Sequence, residues 1–86
     1  MRMGEGFCAD ARFGECHLRL FAVETGLGPG ASVFDVKTGK SFSNREWADD
    51  MEDAKARAAR MARGYHRAVG TKDPFPELVW KETSDR

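Results

Sequence analysis

The apolar residues of this chain change their spacing partway along it, and no motif constrains the fold as much. From Phe7 to Trp47 they recur at every second position in short runs; from Asp50 to Val69 they recur every third or fourth. Side chains alternate between faces along a strand but return to one face about every fourth residue on a helix. The chain therefore reads as four short strands followed by one long amphipathic helix.

The first two strands predict their own register. In Gly6 to Phe13, the apolar Phe7, Ala9, Ala11 and Phe13 alternate with Cys8, Asp10 and Arg12. Gly14-Glu15 suits a two-residue II′ hairpin, which needs glycine first. That turn sets Phe13 against Cys16, Ala11 against Leu18, Ala9 against Leu20 and Phe7 against Ala22 on one face. The other face pairs Arg12 with His17, Asp10 with Arg19 and Cys8 with Phe21, so opposite charges meet at Asp10 and Arg19. Gly26 to Gly30, with Pro29, reads as a loop and Ala31 to Lys37 as a third strand. Lys37-Thr38-Gly39 suits a three-residue turn that pairs Val36 with Lys40 and Phe34 with Phe42 on the inner face. Ser41 to Trp47 is the fourth strand.

The helix places Met51, Ala54, Ala58, Met61, Tyr65 and Ala68 on one stripe, with Ala62 and Val69 at its margin. Asp49 with Glu52, or Asp50 with Asp53, offers an N-cap, and Gly70 a natural stop. A rival start lies at Ser43, where Ser-Asn-Arg-Glu has the form of a capping box. Residues 70–76 form a linker, and Glu77 to Glu82 a short extended segment that closes an edge, packs on the core or reaches a neighbouring subunit. The expected architecture is α+β: a two-layer antiparallel meander in ββββα order, with a possible short C-terminal strand and one helix across one face. With 86 residues, one domain with a modest core is expected, with mobile ends at 1–5 and 83–86.

Composition removes several classes of function. Formal net charge is zero and a third of the residues are charged, which argues against bulk electrostatic coating of nucleic acid but leaves room for a local basic face. Charged residues interrupt the apolar run near the start, so neither a signal peptide nor a membrane span is expected, and the chain reads as cytoplasmic. Two cysteines are too few for a disulfide scaffold. Register sets Cys8 and Cys16 on opposite faces, so they should share neither a metal nor a disulfide with each other, and Cys8, Cys16, His17 and His66 make a poor zinc set. Cys16 and His17, adjacent on a strand, point apart and cannot act as nucleophile and base. The acids from Asp49 to Asp53 lack the spacing of a calcium loop and suit a helix N-terminus. Gly26 to Gly30 joins strand to strand, and Pro29 removes a donor, so it reads as a mobile hairpin loop rather than a phosphate loop. No catalytic residue, cofactor or metal is expected.

What remains is the sheet face away from the helix. If the helix covers Phe7, Phe13, Leu18, Leu20, Phe34, Val36 and Phe42, the other face carries Arg12, His17, Arg19, Phe21, Val23, Val33, Lys37, Arg45 and Trp47, with Asp10 and Asp35 its only acids. A few exposed apolar residues are ordinary on a small sheet, yet Phe21, Val23 and Val33 side by side suggest an interface. On the helix, Arg60, Arg63 and Arg67 form a secondary basic ridge, most simply a solvated face, and an Asp53 to Arg57 pair is expected.

The order of four strands then a helix, from Phe7 to Val69, resembles the repeat of the Pur-alpha and Whirly types of single-stranded nucleic-acid-binding protein. The resemblance is one of topology and carries over no binding residue. It implies an uncovered sheet face that takes the ligand, in domains that commonly pair. The expectation is thus a non-enzymatic interaction module, self-associating as a homodimer through the uncovered face or the C-terminal segment. The alternative is a single-stranded nucleic-acid binder on the same face.

Overall fold

The computed structural model describes residues 6–41 and 45–83. Its elements are β1 (Gly6–Phe13), β2 (Cys16–Thr25), β3 (Gly28–Asp35), β4 (Lys40–Ser41), β5 (Glu46–Trp47), α1 (Met51–Val69) and β6 (Lys81–Glu82). They form an antiparallel sheet in the order β4-β3-β2-β1-β6, with β5 also pairing β3, and the helix packs across one face. The chain is α+β, as its spacing predicts. Phe42 and Ser43, with the expectations attached to them, and the ends at 1–5 and 84–86 lie outside the described residues.

The β1–β2 hairpin has the predicted register throughout, from Phe13 opposite Cys16 to Phe7 opposite Ala22. Gly14 makes this possible by adopting φ 59°, a left-handed value that an L side chain resists. Ala11, Leu18, Leu20 and Ala22 are wholly buried on the inner face. Cys8 and Cys16 therefore stand on opposite faces, with Cys8 beside Phe21 and Cys16 beside Phe13.

The third strand departs from expectation. Thr25 pairs with Gly28 across only Gly26 and Leu27, so the glycine-rich segment is a tight hairpin and β3 begins inside it. The Thr25 hydroxyl closes the turn, donating to the Gly28 carbonyl and accepting from Leu27 N–H. This pairing puts Val33 opposite Leu20 and Ala31 opposite Ala22, both wholly buried. Val33 is thus a core residue, not a member of the uncovered face. Phe34, opposite Arg19, takes the uncovered face instead of the core. Val36 leaves the strand for the turn, where Asp35 Oδ1 accepts from Lys37 N–H at 2.9 Å and Gly39 N–H donates to the Asp35 carbonyl. The β3–β4 pairing accordingly matches Asp35 with Lys40 and Phe34 with Ser41, one residue away from the predicted register. Asp35 shares its register with buried Leu18 and belongs to the helix side.

The fourth strand is two pieces on one edge. Three steps along β3, from Phe34 back to Ala31, correspond to five along its neighbour, from Ser41 to Glu46. Trp47 lies in a strand, and Asp50 caps α1 by accepting from Asp53 N–H at 2.8 Å. Asp53 in turn accepts from Asp49 N–H and holds Arg57 at 2.8 Å, the expected i,i+4 pair. Gly70 ends the helix in a left-handed conformation.

The buried stripe of α1 is Ala54, Ala58 and Ala62, flanked by Met51, Met61 and Tyr65. Ala62 moves from margin to centre, and Ala68 is exposed. Small residues at four-residue steps bring the helix close over β2 and β3. The segment after the helix completes the inner layer at β1: Phe75, Leu78 and Trp80 pack on the core, and Lys81 and Glu82 pair with Cys8 and Phe7. Among the three fates open to this segment, it closes an edge and packs on the core of its own chain. No described helix is long and apolar enough to cross a membrane.

Candidate functional site

The registers of the strands lay out the uncovered face in rows. One row runs Gly6, Val23, Gly30 and Trp47; the next Lys81, Cys8, Phe21 and Ser32; the next Asp10, Arg19, Phe34 and Ser41; the last Arg12 and His17. Strand alternation alone assigns these positions to one side.

At the centre Phe21 and Phe34 lie on adjacent strands with ring centroids 5.5 Å apart and planes 8° from parallel. Offset stacking of this kind is a favoured arrangement of aromatic pairs. Val23 is half-buried beside them. Toward one corner Gly30 is a floor for two larger groups: a Cβ there would meet Arg45 Cδ at 2.8 Å and the Trp47 ring at 3.6 Å. Arg45 and Trp47 therefore lie over the glycine, the guanidinium 5.9 Å from the indole centroid, and Trp47 remains 48% exposed.

Asp10 organises the other end. Its Oδ1 accepts from Arg19 Nε–H and from His17 Nε2, each at 2.9 Å. A carboxylate only accepts, so His17 carries a hydrogen on Nε2. Partial burial raises the Asp10 pKa, but the hydrogen bonds from Arg19 and His17 more than offset it and hold the group below its ordinary value. Arg12 is exposed on the same side.

Charge is sorted by register. Of the acids on the described strands, Glu24, Asp35, Glu46 and Glu82 all fall in the inner phase with Ala22, Leu18, Ala31 and Phe7, and only Asp10 falls in the outer one. The outer side holds Arg12, Arg19, Lys81 and, over Gly30, Arg45. Among the described strand residues, three cations thus share the outer side with one carboxylate, and Arg45 joins them over Gly30, in a chain of zero net charge.

Of the predicted face, the structure brings together Arg12, His17, Arg19, Phe21, Val23, Arg45 and Trp47. It removes Val33 to the core and Lys37 to the β3–β4 turn, where the ammonium donates to the Glu15 carbonyl. It adds Phe34 and, from where the C-terminal strand docks, Lys81, which stands across from the Cys8 already expected opposite Phe21. All three arginines of the helical ridge, Arg60, Arg63 and Arg67, are exposed, and Arg63 also lies over the Phe75 ring at 4.8 Å. Among the described residues no three His, Cys, Asp or Glu side chains are placed to hold a metal ion.

No family model, curated protein or solved structure matches this chain. The topological resemblance to the Pur-alpha and Whirly repeats accordingly assigns no residue here, and the face is argued from its own chemistry.

Proposed function

We propose that the protein is a non-enzymatic binding module whose uncovered sheet face takes single-stranded nucleic acid. The observation that carries this is the sorting of charge around a stacked aromatic centre: four cations, one carboxylate, the Phe21–Phe34 pair and a half-exposed Trp47 on one side of the sheet. Cations follow phosphates, and aromatic rings stack on bases without demanding a particular sequence. The exchange of Val33 for Phe34 favours this ligand over a second copy, because it replaces an aliphatic residue by a ring. Two copies meeting face to face would also set like charges together. Free Cys8 and Cys16 suit a reducing cytoplasm.

Self-association through the same face is the second reading, favoured by the apolar continuity of Val23, Phe21 and Phe34. Fluorescence anisotropy with labelled single-stranded oligonucleotides separates the two. Binding should weaken as salt rises, with a log–log slope of about −0.7 per phosphate contacted, and Phe34→Ala or Arg45→Ala should weaken it at fixed salt. A flat titration at low salt, with a mass by light scattering that doubles on concentration and returns to monomer in Phe21→Lys, would replace nucleic acid by a second copy.

A further inference from the structure

The two histidines of the chain have different surroundings. His66 packs edge-on against Phe13 and Phe75 near the end of the helix, with Nε2 on the Asp73 carbonyl. His17 belongs to the uncovered face, where its Nε2 meets Asp10 Oδ1 at 2.9 Å. The same oxygen accepts from Arg19 Nε–H at 2.9 Å, so one carboxylate joins a permanent cation to a side chain whose charge can change. Imidazole is the side chain that gains or loses a proton between about pH 5 and 8.

Neutral His17 already carries its hydrogen on Nε2. A second proton therefore goes to Nδ1, which has no hydrogen-bond partner among the described residues. The contact with Asp10 survives that step and becomes fully charge-assisted. Asp10 stays a carboxylate throughout, because its pKa lies below the ordinary 3.8. The proton thus adds one positive charge to the face and leaves its geometry in place. With the His17 side chain only 16% exposed, salt screens that charge less than it screens a fully solvated one.

The groups around His17 decide what a ligand does to it. Asp10 and Arg12 face it from β1, with Arg12 directly across the ladder. Arg19 lies two residues farther along β2, and Glu15 is exposed in the preceding turn. From the β3 side, Val36 N–H donates to the His17 carbonyl, and the Lys37 ammonium donates to the Glu15 carbonyl. Arg12, Arg19 and Lys37 oppose a further positive charge, while Asp10, in direct contact, favours it. An anion held by Arg12 and Arg19 cancels part of that opposition. Binding of a phosphate chain and protonation of His17 then promote each other, as reciprocity between two coupled binding events requires.

We propose that the Arg19–Asp10–His17 cluster is a proton-operated control on the binding face: protonated His17 raises its affinity for single-stranded nucleic acid, and loss of the proton lowers it. This rests on the face binding a single strand, and it adds a pH dependence that fixed cations and aromatic rings do not supply.

The test follows fluorescence anisotropy of a labelled oligothymidylate on the full chain at low salt, from about pH 8 down to about pH 5.5. Neither thymine nor a phosphodiester gains a proton over that range, so the probe itself is silent. Affinity should rise roughly fivefold or more as pH falls and then level off, the lower end of couplings between linked sites. His17→Gln offers Asp10 an uncharged donor and should bind with an affinity that no longer follows pH. His66→Gln should keep the dependence. Nuclear magnetic resonance of the unmutated chain supplies a readout apart from affinity: saturating oligothymidylate should move the titration of the His17 ring resonances to higher pH and leave that of His66 where it was. Equal affinity across the range, a dependence that persists in His17→Gln, or a His17 titration indifferent to the oligomer would overturn the control and leave the binding face standing. No binding at any pH at low salt would overturn both.

Discussion

Phe21 and Phe34 stack across the β2–β3 ladder with their rings 8° from parallel, although Phe21 stands opposite Ser32 and Phe34 opposite Arg19. The contact is diagonal, between residues two positions out of register, which is within reach of aromatic side chains. It couples the two strands on the face that lacks a helix. A double-mutant cycle of Phe21→Ala and Phe34→Ala, read by urea unfolding, should give a coupling of about 0.5–1.5 kcal/mol. A coupling of zero would mean that the rings do not touch in solution.

Neighbouring residues on β3 should respond in opposite ways to charge. Val33 lies fully buried opposite Leu20 under α1, so Val33→Lys would bury an ammonium without a partner and should prevent folding. Phe34→Lys places the same group at the open face and should leave a folded chain. Leu20→Ala, which empties a wholly buried site, should lower stability by about 2–5 kcal/mol. Circular dichroism and urea titration of the three variants check this, and a folded Val33→Lys would reverse the phase of β3.

Why β1 and β2 were legible and β3 was not comes down to their turns. Gly14-Glu15 admits one short hairpin, and the strict alternation of Phe7, Ala9, Ala11 and Phe13 agrees with only one face. Between β2 and β3, by contrast, Gly26 to Gly30 offers glycine at several positions, so a two-residue turn and a longer loop both look plausible. Ala31 to Val36 does not choose between them, because Val33 and Phe34 are adjacent and both apolar. A one-residue difference then exchanges the faces, which is how Val33 and Phe34 changed places. Lys81 was hidden for a different reason: its place on the face depends on where the tail docks, a contact between residues far apart in sequence. The helix, whose signal is local, was legible in its cap, its stop and its Asp53–Arg57 pair.

Gly30 gives a way to disturb one corner of the face alone. A methyl group there would collide with Arg45 Cδ at 2.8 Å and Cγ at 3.2 Å. The Arg45 side chain is flexible and exposed, so it should swing away, with stability changing by about 1 kcal/mol or less. Gly30→Ala should therefore shift Trp47 emission and weaken oligonucleotide binding while the melting curve moves little. An unchanged Trp47 spectrum would show that Arg45 does not sit over the ring.

Acid and alkali should each find a specific group. Hydrogen bonding and charge from Arg57 hold Asp53 below its ordinary 3.8, and the bonds from Arg19 and His17 hold Asp10 below it despite burial. A carboxylate whose folded pKa is depressed adds stability above the unfolded value, and that stability is lost as pH falls through the folded one. The loss should therefore lie below about pH 3.8, and Asp10→Asn should flatten this acid limb. Tyr65 is the reverse case. Burial, then the negative charge of Cys16 and Asp35, raise it above 10.0, so its contribution is full below pH 10.0 and disappears as pH rises through the folded value. Unfolding free energies across pH, with Tyr65→Phe removing the alkaline component, measure both.

The segment after the helix should detach as a unit when one ring is removed. Phe75 packs on Phe13 at 6.0 Å and edge-on to His66 at 5.6 Å. Two hydrogen bonds fix the same point: Gly14 N–H donates to Asp73 Oδ2 at 2.6 Å, and His66 Nε2 donates to the Asp73 carbonyl at 2.7 Å. Farther along, Thr83 N–H donates to the Gly6 carbonyl at 2.8 Å, next to the two pairs that β6 makes with β1. So short a strand cannot hold itself; it depends on the anchor at Phe75. Phe75→Ala should lower stability by about 1–3 kcal/mol, since the ring is only half-buried. In hydrogen exchange, Gly14 and Thr83 N–H should lose protection while the ladder between β2 and β3 keeps it. Equal loss everywhere would place the segment inside the main cooperative unit. Because Lys81 is one of the cations of the uncovered face, selective release should also weaken oligonucleotide binding without unfolding the sheet.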